Sequence, residues 1–342
     1  MQARSLAAWR QAPFFETAAK VMSMAALVLA AHAGWAAHPI FVLNSLDANI
    51  SVIDGATYQE SRRLPTGKEP HHLYLSPDDK SLLVANALGD TLTLIDPVTG
   101  VIQKVIPNVA DPYQLRFSPD MKWLVTAANR LNHVDIYRVN LKGATGLELT
   151  LAKRIPTGKT PSHVNIDSKS AMAYVTMQDS DEFVAIDLAT QTLRWRHPTG
   201  KMPADVFLTP DDKQALIGLT GDRMVEVYDI TGAKPVLTKR ITTGEGAHAF
   251  RSMGDKRHVL VSNRVANTIS KIDTQTMTVV DNYPAPGGPD CMDVLADGKT
   301  ILVTSRWARK LTFIDMPSHK VIRQISLGKS PHGVWTLDHA PR

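Results

Sequence analysis

The chain has 342 residues, 44% of them hydrophobic and 21% charged, with a net charge of +5. That is enough apolar material for a large buried core, and beyond the N-terminus no apolar run is long enough to span a bilayer, which implies a soluble globular protein. The positive balance gives a mild bias toward anionic partners. With both charge signs interleaved and aromatics at only 6%, an extended stacking groove for nucleic acid is disfavoured.

Residues 1–36 differ from the rest. Arg4, Arg10 and Lys20 precede the apolar run "VMSMAALVLAA", and small-residue cleavage positions follow at Ala33 and Ala36. A basic flank, a short apolar stretch and an Ala-x-Ala pattern make an export signal, so the mature chain is expected in the periplasm or outside the cell from about residue 37. Cys291 is the only cysteine, which excludes an intramolecular disulfide even in an oxidising compartment. It reads as a small buried residue rather than a nucleophile.

From Thr66 onward the sequence repeats. With Pro70 as origin, equivalent positions fall at Pro112, Pro161, Pro203, Ala247, Pro289 and Pro331, at spacings of 42, 49, 42, 44, 42 and 42 residues. Shortly after each origin stands a turn signal: "SPDDK" at Ser76, "SPDMK" at Ser118, "DSKS" at Asp167, "TPDDK" at Thr209, "MGDK" at Met253 and "ADGK" at Ala296. Proline, glycine and aspartate there preset a tight reversal between strands. Between the turns lie short β-branched runs such as "SLLVAN", "TLTLID", "HVLVSN" and "ILVTS", whose length and alternation predict strands. An aspartate 26 residues after the origin, at Asp96, Asp187, Asp229, Asp273 and Asp315, is expected to accept backbone hydrogen bonds where the third strand ends.

The two ends complete the count. After Pro331 only one strand, "HGVWTLD", remains, while "IFVLNS", "NISVID" and "ESRRLP" stand near the mature N-terminus. Joining them closes a ring and removes the open edge of a linear stack. The predicted fold is therefore an all-β, seven-bladed β-propeller of four-stranded blades over residues 37–342, a single domain and a monomer. The seven extra residues of the Pro112 unit fall in "NLKGATGLELTLAK" and predict a longer outer hairpin.

Repeats of this length that carry "TGKEPHHLYLSPDDKSLLVAN" and end in "LTLID", with "YVTM" at Tyr174 and "LVTS" at Leu302, resemble the YVTN family of β-propellers. The resemblance covers essentially the whole mature chain. It is specific for architecture and weak for activity, because one propeller scaffold hosts unrelated functions.

In a propeller the first strand of each blade lines the central channel, so the register yields two rings. One position after the origin come His71, Tyr113, Ser162, Ala204, His248, Asp290 and His332. One further come His72, Gln114, His163, Asp205, Ala249, Cys291 and Gly333. Ring closure makes the blades of His248, Asp290, His332 and His71 consecutive, a ligand set that zinc, copper or iron could use. Spacing alone cannot bring these groups to bonding distance, and the competing reading is of channel-lining histidines bonded to water and loop carbonyls. Loops after the second strands add Asn44, Asn86, Asn129, Arg130, Asn263, Arg264, Arg306 and Trp307. The arginines suit carboxylates or phosphates and Trp307 a planar ligand, or they lie solvated on the rim while the asparagines satisfy turn backbones.

No phosphate-cradling glycine loop, G-x-S-x-G elbow, C-x-x-C or C-x-x-C-H is present, so nucleotide hydrolysis, serine-esterase chemistry and covalent haem attachment lack their signatures. The expectation is an exported binding or scaffold protein whose channel mouth takes a small anionic ligand, a metal or a partner protein, with His71, His72, Arg130, His163, Arg264, Arg306 and Trp307 as ligand-binding residues. The family resemblance implies two alternatives. One is a d1-type haem protein related to cytochrome cd1 systems, in which His71, His248, His332, Arg264 and Arg306 hold the cofactor. The other is a lactonase with acid, arginine and histidine at the mouth.

Overall fold

A computed structural model of the protein describes residues 37–141 and 146–341. The predicted export segment, residues 1–36, and the tip of the long hairpin lie outside the described residues. Among the described residues no helix is long and apolar enough to cross a membrane.

The described residues form strands β1 to β28, numbered in chain order, arranged as seven four-stranded antiparallel sheets. The innermost strands are Pro70–Leu75 (β4), Pro112–Phe117 (β8), Pro161–Ile166 (β12), Pro203–Leu208 (β16), Ala247–Ser252 (β20), Pro289–Val294 (β24) and Pro331–Thr336 (β28). In six blades the next three strands follow outward in sequence. The seventh is mixed, in the order β28, Ile40–Asn44 (β1), Asn49–Ile53 (β2) and Glu60–Pro65 (β3). Ile40 pairs with Thr336 and Phe41 with Trp335, so the ring closes by the predicted exchange of termini. The long outer hairpin is also present, as His133–Leu141 and Leu147–Pro156.

Burial explains the sequence pattern. Second strands are covered on both faces by neighbouring blades, and so read as largely apolar runs: Leu82–Asn86 is buried at every position. Outer strands alternate, as in Thr192–Pro198, because only one face is covered. The core is a set of seven hydrophobic clusters, one between each pair of adjacent blades. At the closure Phe41, Leu43, Trp335 and Leu82 pack together, where truncating one large side chain should cost about 3–5 kcal/mol.

The recurrent aspartates act as expected. Asp96 Oδ1 accepts from the backbone N–H of Val98 and Thr99 at 2.9 and 2.7 Å, Asp187 from Thr190, Asp229 from Thr231, Asp273 from Gln275, and Asp315 from Ser318. Of the four asparagines, Asn129 donates to a backbone carbonyl, that of Pro161, at 3.1 Å, whereas the other three act differently. Asn44, Asn86 and Asn263 are fully buried, and their amide nitrogens donate to hydroxyls of the neighbouring strand, Ser51, Thr93 and Ser270, at 2.8 to 2.9 Å. They tie second strand to third rather than satisfying a turn backbone.

Candidate metal centre

One backbone device aims the ring residues. The residue before every inner strand has a positive φ: Glu69 (53°), Asp111 (42°), Thr160 (59°), Met202 (53°), Gly246 (78°), Gly288 (71°) and Ser330 (52°). A register shift then follows at the start of each inner strand. Plain alternation would send consecutive side chains to opposite faces, whereas a bulge lets both turn toward the axis. Only two of the seven positions are glycine, so the sequence carries little sign of the device. At both an added Cβ would be too close, 2.9 Å from the Val265 backbone nitrogen at Gly246 and 2.5 Å from the Trp307 ring at Gly288.

The first ring forms a closed layer on the mouth side. Asp290, His332, His248 and His71 are all buried to 2% exposure or less. Arg264 Nη2 donates to Asp290 Oδ1 at 2.7 Å, and Arg306 Nη1 to Asp290 Oδ2 at 3.2 Å. Arg306 Nε also donates to Ser330 Oγ at 2.9 Å. His248 Nε2 and His332 Nε2 lie 3.2 and 3.5 Å from the same Asp290 Oδ1, yet neither is aligned for a hydrogen bond.

Their tautomers are fixed from the other side of each ring. His332 Nδ1 is 2.8 Å from the His71 carbonyl, which can only accept. His248 Nδ1 is 3.1 Å from Thr220 Oγ1, which lies 3.1 Å from the Ala247 carbonyl as well. The His332 Nδ1 therefore carries the proton and its Nε2 lone pair faces the carboxylate oxygen; with the Thr220 hydroxyl donating to the Ala247 carbonyl, His248 takes the same tautomer. Burial pushes His332 well below the usual histidine range, and burial with Arg264 nearby pushes His248 down to about 3. Burial opposes ionisation of Asp290, but the Arg264 guanidinium together with His332 and His248 outweighs it and holds the carboxyl well below its ordinary range. The cluster is thus two neutral imidazoles and an ionised carboxylate, three donors and no proton between them.

The second ring lies one layer deeper and faces the other way. All seven of its residues line a cavity of about 410 Å³ that also contacts the strand turns at Pro119, Ser168 and Pro210. No first-ring residue is among the lining side chains. His72 and His163 sit at its inner end, with Nε2 atoms 3.1 Å apart. Cys291 borders the same cavity, only partly buried, with Sγ 3.4 Å from His332 Nδ1 and 3.9 Å from His72 Nε2. Burial pushes its thiol well above the ordinary range.

The remaining sequence candidates divide. His71 stacks between Tyr113 and His332, ring centroids 3.8 and 3.6 Å away, and groups with His72 and His332 rather than with Asp290. Arg264 and Arg306 are ion-paired in the layer rather than solvated. Arg130 is taken up at the rim, pairing with Glu69 at 2.8 Å and Asp111 at 2.6 Å. Trp307 is 58% exposed, lying over Gly288 beside the mouth. Sequence reasoning missed Thr220, which orients His248. A hydroxyl just past a second strand resembles many others, and only the closed ring brings it to that imidazole.

The sequence profile of the YNCE-like beta-propeller family matches residues 1–342. A curated relative, the YncE protein of Salmonella typhimurium, is 29% identical over 152 residues, 43% of this chain and 42% of that protein; the match thus spans under half of the relative's length. Among solved structures, the dihydro-haem d1 dehydrogenase NirN superposes with a TM-score of 0.63 at 15% identity, covering 88% of this chain and 75% of NirN. The periplasmic gluconolactonase PpgL of Pseudomonas aeruginosa gives 0.72 at 18% identity, covering 87% and 98%. At such identities the likeness shows the fold alone.

Proposed function

We propose, from the premise that this chain belongs to the YNCE-like β-propeller family, that it is an exported binding protein holding a divalent transition-metal ion in its channel hub. His248 Nε2, His332 Nε2 and Asp290 Oδ1 are the ligands. One observation carries the reading: two imidazole nitrogens converge on one carboxylate oxygen at 3.2 and 3.5 Å without a hydrogen bond. Acceptors that face each other in a buried layer repel unless a positive centre lies among them. Ligands bound to one tetrahedral ion at ~2.0–2.1 Å stand roughly 3.3 Å apart, close to the separations seen here. The outward hydrogen bonds to Thr220 and the His71 carbonyl are the support that metal-bound imidazoles need.

Two histidines and one carboxylate leave coordination positions free. Arg264 and Arg306 already balance Asp290, so a divalent ion makes the layer strongly positive and favours a small anion as its further ligand. Both arginines are partly exposed toward the mouth, at 17% and 26%, which supports entry from that side. The residues present do not suit a tetrapyrrole, since both arginines are engaged with Asp290 and neither is spare for the carboxylates of a macrocycle. The lactonase alternative meets the same difficulty: its acid and its cations are spent on one another. Export rests on the basic and apolar leader and is tested by N-terminal sequencing of the mature protein.

The deciding experiment is a Co(II) titration of the mature protein followed by visible spectroscopy. The ligand-field bands expected of a mixed nitrogen and oxygen site should diminish by one bound equivalent in His248→Ala and His332→Ala and stay whole in His71→Ala. Bands unchanged in the first two variants, or no binding at micromolar Co(II), would overturn the reading and leave the histidines as a structural plug.

A further inference from the structure

We propose that His72 and His163 form a second metal site, one layer below the first and built from different side chains, which takes an imidazole-seeking ion such as copper or zinc and opens on the lower cavity. This second site stands independently of the one at Asp290. His72 Nδ1 is 2.8 Å from the Tyr113 carbonyl and His163 Nδ1 is 2.6 Å from the Ala204 carbonyl. A carbonyl only accepts, so each ring directs an Nδ1–H there. In the neutral rings both Nε2 atoms are then lone pairs, and they face each other at 3.1 Å. Two acceptors at hydrogen-bond distance, on side chains 6% and 3% exposed, need a Lewis acid or an extra proton between them.

The surroundings favour the metal. Two nitrogens 3.1 Å apart subtend roughly 100° at an ion ~2.0–2.1 Å from each, an ordinary coordination angle. Asp205, in the same ring, accepts only the backbone N–H groups of Val206 and Phe250, so its carboxylate has no cation partner among the contacts described. Of the charged groups lining the cavity, Arg251 is matched by Asp293. Arg116 then stands against Asp205 and Asp212, one more negative than positive. Cys291 Sγ, 3.9 Å from His72 Nε2, adds a soft donor nearby. An ion here can also recruit water or a small anion from the cavity, whereas an imidazolium buried among His71, His248 and His332 gains no such relief.

The test is metal stoichiometry of the mature protein after loading with Zn(II) and desalting. Two ions per chain are expected, falling to one in His163→Ala and to one in His248→Ala. A single ion lost in His163→Ala but kept in His248→Ala would uphold this site and sink the upper one. Unchanged stoichiometry in His163→Ala would overturn it. Should that variant fold poorly, nitrogen-15 NMR of metal-free wild type decides: a proton held between the two Nε2 atoms contradicts the proposal, while unprotonated Nε2 resonances that shift on adding Zn(II) uphold it.

Discussion

The two layers of the hub come from consecutive residues of the same seven strands, yet they are closed by different means. In the upper layer one carboxylate is clamped by two guanidinium groups, and one of its histidines is oriented by a side-chain hydroxyl, that of Thr220. In the lower layer both histidines are oriented by main-chain carbonyls of the next blade, and open space lies beyond them. The upper layer is therefore sensitive to side-chain replacement at a distance from its ligands, whereas the lower layer is set by the ring itself. Backbone carbonyls cannot be mutated away, so its tautomers hold as long as the propeller does.

The largest effect that would break this contrast is at Asp290. Replacing it by alanine leaves the Arg264 and Arg306 charges in the hub without their partner, and should cost about 3–5 kcal/mol in urea unfolding. A cost under about 1 kcal/mol would mean that the clamp is not what holds the layer. Next comes Thr220→Val, which removes the hydroxyl behind His248 without touching a ligand. Loss of such outer support typically weakens metal binding by about 10- to 100-fold. The lower site should keep its affinity in this variant, and equal weakening of both would dissolve the distinction between the layers.

Smaller effects sharpen it. Met202 holds a positive φ at the entry to an inner strand while its side chain is 40% exposed, so Met202→Gly should relieve backbone strain and stabilise by up to ~1 kcal/mol. Metal binding should not change, because the bulge is retained. The smallest effect lies on the exterior, where the Arg257 guanidinium pairs with Asp273 at 2.6 Å and holds that carboxyl at about 2. A pKa below the unfolded value of ~3.9 stabilises above that pH and loses its contribution as pH falls toward 2. Arg257→Ala should thus lower stability slightly at pH 7 and not at pH 2, with no effect on either channel layer.

Much of the architecture was legible because it repeats. The proline origin recurs in six of seven blades, the turn signal in six and Asp96 with its counterparts in five, and each has a local physical reason. The closing blade was legible too, since "HGVWTLD" at one end lacks the three strands that the other end supplies. The site was legible only as a set of names. His248, Asp290 and His332 were placed on one arc, but His71 was counted with them and proved to be stacked on His332. Arg130 read like Arg264, yet it serves the rim through Glu69 and Asp111. Cys291 was expected to be buried and instead borders the cavity.

The sequence by itself determined the blade number, the strand order and which residues face the axis, because turn chemistry and strand alternation are local and the spacing that counts blades is written along the chain. Only the tertiary structure decided which axial groups share a carboxylate, which way each imidazole points its lone pair, and on which side the channel opens. Those outcomes depend on contacts between residues tens to hundreds of positions apart, such as His332 with the His71 carbonyl. They depend also on a left-handed residue before each inner strand that five of seven blades make without glycine.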